Sequence, residues 1–359
     1  MLRSLALALA SLLTPLSALE LQLPTENHHL FTGEPEKFYM YVDRIFEGET
    51  SKPWEGGAYG YVRTPLRIGK DVVLTKFHEG IDIKPDKRDK AGNPLDLIMA
   101  VSDGIVVHAS DVAGRSNYGK YIVVEHNYGG DAFYSLYAHL AKVTVKAGDP
   151  VKMGSVLGQM GYTGDGFYGS NVRAHLHLEM CLKMSDHFDG WHKAFSGGLN
   201  HHGNYSGLNL AGMDVATLYL EHKKNPALRI QDFVLNSPAY FKLTIPRDGE
   251  WDFARRHRWM VKGDIMEASP SWELSFTATG LITGIAPSQR PVSEPVVTAV
   301  RDSRVNHRHL TRGLIDGQGD KAVLTRSGKQ LLALLTDDFP IPTPATSVTP
   351  ASSAAPAGE

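Results

Sequence analysis

Two short segments, far apart in the chain, carry side chains suited to metal chemistry: His78-Glu79-Gly80-Ile81-Asp82 and His175-Leu176-His177. Together they offer nitrogen and oxygen donors of the kind zinc prefers, and a catalytic zinc needs three protein ligands with a fourth position left to water. Residues two apart on a strand share a face at about 6.6 Å, so His175 and His177 can address one site while Leu176 and Leu178 face a core. One of the two can bind the ion and the other can stand beside it. On a straight strand His78 and Asp82 would lie about 13 Å apart, too far for two bonds of about 2 Å to one ion. The chain must bend between them. Gly80 permits the bend, while Gly80, the β-branched Ile81 and Ile83, and Pro85 disfavour a helix. The expectation is a turn into a strand, with Ile81 and Ile83 inward and Asp82 toward the ion.

A third segment, Tyr134-Ser135-Leu136-Tyr137-Ala138-His139-Leu140, reads as a strand. Alternation predicts Leu136, Ala138 and Leu140 on a core face, with Tyr137 and His139 opposite, so that His139 enters a polar cleft as a general base or proton shuttle. Glu179 shares the His177 face, where it either supports that histidine or faces solvent. Cys181, the only cysteine, lies about 13 Å beyond His177 along the strand; it is read as a buried thiol, and no intramolecular disulfide can form. His187, His192, His201 and His202 sit in the insertion and either line the cleft or are loop histidines, the second reading being preferred. The runs Arg255-Arg256-His257-Arg258 and 304–308 are basic but short and without aromatics, which fits solvated turns rather than a nucleic-acid surface. The glycine loop near Gly164 lacks a following Lys-Ser or Lys-Thr, so it does not read as a phosphate cradle.

Strands must position these groups. Residues 56–183 consist of short β-branched and aromatic runs cut by glycine turns at Asp103-Gly104, Gly129-Gly130, Gly148-Asp149 and Gly164-Asp165, which predicts a mainly β fold built on a compact antiparallel domain. Residues 184–226 form a long structured insertion packing on it, with a helix over Asp214 to Lys223 whose Val215, Leu218 and Tyr219 share a face. Residues 227–340 read as a smaller α+β accessory region, with strand-like pieces such as Tyr240 to Ile245 and a last helix from Gly328 to Leu335. Residues 19–55 are an N-terminal extension, and 341–359, mostly Pro, Ala, Ser and Thr, are too poor in large apolar residues to fold. In residues 1–18, Met1-Leu2-Arg3 precedes an apolar run from Leu5 to Leu13 that breaks at Thr14-Pro15, short of the roughly 20 residues that span a bilayer. That layout reads as a signal peptide, with a retained N-terminal anchor as the alternative because Leu16 is large for the position three before a cut at Ala18. It predicts export to the periplasm, cell envelope or medium, with no membrane span in the mature chain. With 359 residues, 42% hydrophobic and 21% charged, the chain can bury a core. Its 37 basic and 39 acidic residues give a net charge of -2, which argues against a polyanion partner such as nucleic acid.

The motifs resemble the lysostaphin or LytM-type zinc endopeptidases of bacterial peptidoglycan, whose signature is His-x-x-x-Asp, usually with a central glycine, and a later His-x-His. Gly60-Tyr61-Val62-Arg63 is similar to the Gly-aromatic-x-Arg segment that opens such domains. The likeness runs from roughly Ala58 to Leu182, about a third of the chain. It implies a barrel-sandwich-like, lysostaphin-type fold, zinc ligands His78, Asp82 and His177, and catalytic histidines His139 and His175. It further implies an exported endopeptidase that hydrolyses peptide cross-links of peptidoglycan by attack of a zinc-bound water, with peptide stems as partners. Tyr61, Arg63 and Tyr118 are candidate substrate contacts. Two departures stand out: the loop 161–174 is longer than usual, and Ala174 replaces a common proline. A non-catalytic peptidoglycan-binding or regulatory module of the same fold is the alternative, although all five metal and catalytic positions are retained. A lipoyl- or biotinyl-like carrier, suggested by Val145 to Gly154, lacks a modifiable lysine at a hairpin tip, and the three-residue gap between His78 and Asp82 disfavours a zinc carboxypeptidase.

Overall fold

Apolar and β-branched runs pair into an antiparallel sheet in the computed structural model, which describes residues 19–164, 170–249, 251–265 and 268–340. The main sheet runs in the order Pro150–Val151, Gly104–Ser110, Tyr121–Tyr128, Asp131–Ala138, Leu176–Lys183, Leu210–Gly212. The short strand Ile81–Ile83 pairs with the first half of Leu176–Lys183, with His177 directly opposite Asp82. Leu210–Gly212 pairs with the second half. A long two-stranded ribbon, Gly60–Ile68 with Asp71–His78, delivers His78 to the same edge.

The sheet buries both faces. On one, Leu176, Leu178, Val124, Phe133 and Tyr137 join the principal core; on the other, Leu136, Ala138, Tyr121 and Cys181 form a smaller cluster. By alternation His177 and Glu179 belong to the second face. This corrects the expectation for the strand ending at Ala138. Leu136 and Ala138 lie on the face that carries His177, and Tyr137 is in the principal core, so continued alternation would have sent His139 into that core. Instead His139 takes a left-handed φ of 63°. The turn swings its ring back to the side of His177 and places Leu140 with Tyr137 in the principal core.

Residues 184–226 are more than a cover for this sheet, because Leu210–Gly212 is one of its strands. The helix Val215–Lys224 follows, capped by Asp214, whose carboxylate accepts from the Thr217 N–H, and it buries Val215, Ala216, Leu218 and Tyr219. Beyond it lie the helix Ile230–Asn236, absent from the sequence-based expectations, and a four-stranded antiparallel sheet in the order Ile282–Ser288, Ser271–Phe276, Phe241–Pro246, Val296–Val300. The last helix is Arg326–Thr336. This C-terminal region shares one continuous buried core with the first sheet. Tyr59 ties the two together, its hydroxyl 3.0 Å from the Gly212 carbonyl and 2.8 Å from Thr279 Oγ1. No helix of the described residues is long and apolar enough to cross a membrane. The expected signal peptide (1–18) and tail (341–359) lie outside the described residues, as does part of the loop before His175, 165–169.

Candidate metal centre

The ribbon ends at His78, the chain bends through Glu79 and Gly80, and Asp82 begins to pair with His177. Gly80 is needed for a reason other than the one its sequence position implied. Its backbone is not left-handed; a Cβ there would meet the Leu178 carbonyl oxygen at 2.3 Å and Glu179 Cγ at 2.8 Å. Close approach of two backbones, rather than an unusual turn, brings the two motifs together.

Three donor atoms converge as a result. His78 Nε2 lies 3.1 Å from both His177 Nδ1 and Asp82 Oδ1, and His177 Nδ1 lies 3.0 Å from Asp82 Oδ1. All three residues are buried. A tetrahedral zinc with bonds of about 2.0–2.2 Å spaces its ligands roughly 3.3–3.5 Å apart, so a small outward adjustment admits the ion. The donor set of two imidazoles and a carboxylate is one that zinc favours.

Each ligand is held from behind. The His78 Nδ1–H donates to the Ala58 carbonyl at 2.7 Å, leaving Nε2 for the cluster. His177 Nε2 lies 2.9 Å from Glu179 Oε1, which turns Nδ1 toward Asp82. Arg63 Nη2 donates to Asp82 Oδ2 at 2.5 Å, and Arg63 Nε to the Gly56 carbonyl at 2.7 Å. Burial alone would neutralise these groups, but their mutual contacts prevail. Asp82 is held well below the usual carboxylate range, against burial, by His78, His175 and His177. His177 is pushed up to about 10, again against burial, by its bonds to Asp82 and Glu179. A site with that appetite for positive charge suits a cation.

Two further histidines face the cluster. His139 and His175 have ring centroids 4.7 Å apart, and His139 and His177 are 5.8 Å apart. The His139 Nδ1–H donates to the Thr163 carbonyl at 2.8 Å and the His175 Nδ1–H to the Arg173 carbonyl at 2.6 Å, so both rings present Nε2 to the site. Burial, reinforced by neighbouring histidines, lowers the pKa of His139 well below the ordinary imidazole value; burial also lowers that of His175. Both are therefore neutral near pH 7, as a proton acceptor must be. The group opens on a cleft of about 410 Å³ whose walls include Arg44, Arg63, Lys76 and Arg173.

The three candidate substrate contacts fare differently. Arg63 lines the cleft but spends its guanidinium on Asp82. Tyr118 also lines it, with its hydroxyl 2.6 Å from Glu179 Oε1. Tyr61 is not brought to the cleft, because its hydroxyl donates to the Ala278 carbonyl at 3.2 Å and its ring packs on Phe77. Glu179, for which solvent exposure was an equal expectation, is fully buried, and its carboxylate receives His177, Tyr118 and the Cys181 thiol at once. Nothing local to residues 176–183 signals this; Tyr118, Gly80 and Gly212, all from other segments, pack against the glutamate.

Comparison with known proteins finds several similar chains. Residues 76–189 match the model of "Peptidase family M23". The "Murein hydrolase activator NlpD" of Escherichia coli is 34% identical over 101 residues, 28% of this chain and 22% of that protein. The "Lipoprotein NlpD" of Yersinia enterocolitica is 34% identical over 90 residues, 25% of this chain and 84% of that one. The chain spans about a third or less of the length of the first curated relatives it matches. Among solved structures, the catalytic domain of lysostaphin from Staphylococcus simulans aligns over 55% of this chain and 98% of its own at 21% identity, with a TM-score of 0.28.

Proposed function

The chain belongs to peptidase family M23, and from that premise we propose that it is an exported, zinc-dependent endopeptidase hydrolysing peptide cross-links of bacterial peptidoglycan. The observation that carries this reading is the convergence of His78 Nε2, Asp82 Oδ1 and His177 Nδ1 within 3.1 Å of one another, with His139 and His175 beside them. When bound, a zinc ion would supply Lewis acidity, lowering the pKa of a water to about 7 and polarising the scissile carbonyl.

The remaining chemistry falls to the chain. Arg63, Ala58 and Glu179 hold the three ligands in one orientation and fix their tautomers, so the site needs little rearrangement on loading. His139 and His175, neutral and with Nδ1 anchored on carbonyls, offer Nε2 to accept a proton from the attacking water and return it to the leaving amine. Once protonated, either ring can stabilise negative charge on the carbonyl oxygen. The cationic walls suit a peptide stem with free carboxylates. The names of the lipoprotein relatives support a place in the cell envelope.

A second reading is favoured by the Escherichia coli relative, named an activator of murein hydrolases: the fold binds peptidoglycan or a hydrolase and cleaves nothing itself. Purified protein incubated with peptidoglycan separates the two. Hydrolysis predicts soluble peptide fragments whose release stops with chelator and resumes with zinc. No release, together with stimulation of a separately added murein hydrolase, would replace the first reading by the second.

A further inference from the structure

The basic residues near position 308, taken from sequence as a solvated turn, return to the neighbourhood of the cleft. Beyond its wall at Lys76, Phe77 and Glu79, the groove continues onto a shelf completed by Arg308, Arg312 and Arg326 of the C-terminal region. Four cations and one carboxylate thus line this shelf, which shares Lys76, Phe77 and Glu79 with the cleft of the candidate metal centre. Among the described residues, Lys76 and Arg326 have no ion-pair partner, while Arg308 is paired with Asp316 at 3.2 Å. Arg312 is set in place: it holds a left-handed φ of 56°, its guanidinium lies 4.8 Å from the centroid of the Phe77 ring, and Nη1 donates to the Thr279 carbonyl at 3.4 Å. A bulky residue with positive φ is costly unless its surroundings demand it, and here the strained turn keeps a cation over the ring of Phe77, a residue that lines both the shelf and the cleft. Such an arrangement costs repulsion among like charges, which an anionic ligand relieves.

We propose that this shelf is a substrate subsite, contributed by the C-terminal region, that binds free carboxylates of an acidic peptide stem while the adjoining bond lies at the metal centre. The inference rests on the peptidase reading and narrows it: the preferred substrate is a stem with free acids rather than an uncharged glycine bridge. It also gives residues 227–340 a role, since three of the four cations come from there.

The test pairs binding with turnover. Zinc-loaded full-length protein is titrated with two fluorescent stem peptides that differ only in whether their carboxylates are free or amidated, and cleavage of both is followed by mass. The free acid binds about tenfold more tightly, as two or three partly solvated charge pairs allow, and salt erodes the difference. Lys76→Gln and Arg312→Gln each lose most of that preference while retaining zinc. Should Arg312→Gln misfold, Lys76→Gln, a change at an exposed side chain, decides alone. Equal affinities for the two peptides, or an unchanged preference in Lys76→Gln, overturn the subsite. Inorganic phosphate competing as well as the free acid at equal concentration also overturns it, in favour of a general anion patch. Preference in binding without cleavage of either peptide defeats the peptidase reading and leaves the subsite standing; cleavage of both without preference does the reverse.

Discussion

Arg63 Nη2 donates to Asp82 Oδ2 across 2.5 Å, and this one contact leaves Asp82 Oδ1 to face all three histidines of its cluster. An arginine that sequence placed among the substrate contacts is thereby a positioning residue for a proposed ligand. Arg63→Gln is expected to weaken zinc binding about 10- to 100-fold, the usual cost of losing a partner behind a ligand. Competition against a chromophoric chelator measures it. An unchanged Kd would show that Asp82 holds its orientation without help.

Glu179 stands behind His177 in the same way, buried and 2.9 Å from Nε2. Glu179→Gln keeps the shape and an acceptor oxygen but removes the charge, so zinc affinity should fall about tenfold while the fold survives. Glu179→Ala should also destabilise, since Tyr118 would lose its buried partner. Thermal melts of the two variants, with and without zinc, distinguish these effects.

The strand pairing of Ile81–Ile83 with Leu176–Lys183 depends on the missing side chain of Gly80. Gly80→Ala places a methyl 2.3 Å from the Leu178 carbonyl oxygen, which only backbone movement can relieve. A loss of about 1–3 kcal/mol is expected, together with zinc content well below one per chain. Full zinc occupancy and an unaltered melt would contradict the close approach.

His139→Ala should retain zinc and the fold yet lose about 10²- to 10⁴-fold in peptide hydrolysis, the range for a positioned acid-base group. Elemental analysis beside the activity assay checks both halves. Loss of the metal in this variant would make His139 a ligand.

Stability should fall on acidification through a group remote from the metal. Burial pushes His126 down to about 4, with Nδ1 bonded to the Asp103 carbonyl and Nε2 to the Ser135 hydroxyl, each at 2.7 Å. Unfolded, the same ring titrates near 6.5. Below that pH the unfolded chain takes up more protons, so the stabilisation is complete above about 6.5 and is lost as pH drops toward 4, about 3 kcal/mol in all. Denaturant melts across this window should show a shallower slope for His126→Gln. An identical slope would mean that the ring is already charged in the fold.

Much of this molecule could be inferred from residue types and spacing. Alternating β-branched runs predict strands, and the short glycine turns between them favour antiparallel pairing, because parallel neighbours would need long crossover connections. The helix over Val215–Lys224 followed from its apolar face, and the two histidine motifs pointed to the candidate metal site through ligand chemistry alone. What the sequence could not contain was register and direction. Whether Asp82 sits opposite His177 is settled by which strand pairs with which, a contact across 95 residues. His139 reaches the site because one left-handed residue reverses an alternation that period alone would have continued. The burial of Glu179 and the diversion of Arg63 to Asp82 depend on loops and a ribbon folding onto the main sheet, and the diversion of Tyr61 to Ala278 and the arrival of Arg312 beside Phe77 depend on the C-terminal region packing against that ribbon. Local sequence fixes which face a side chain prefers; the partner on the far side of that face is chosen by the whole chain's burial of its core, and so appears only in three dimensions.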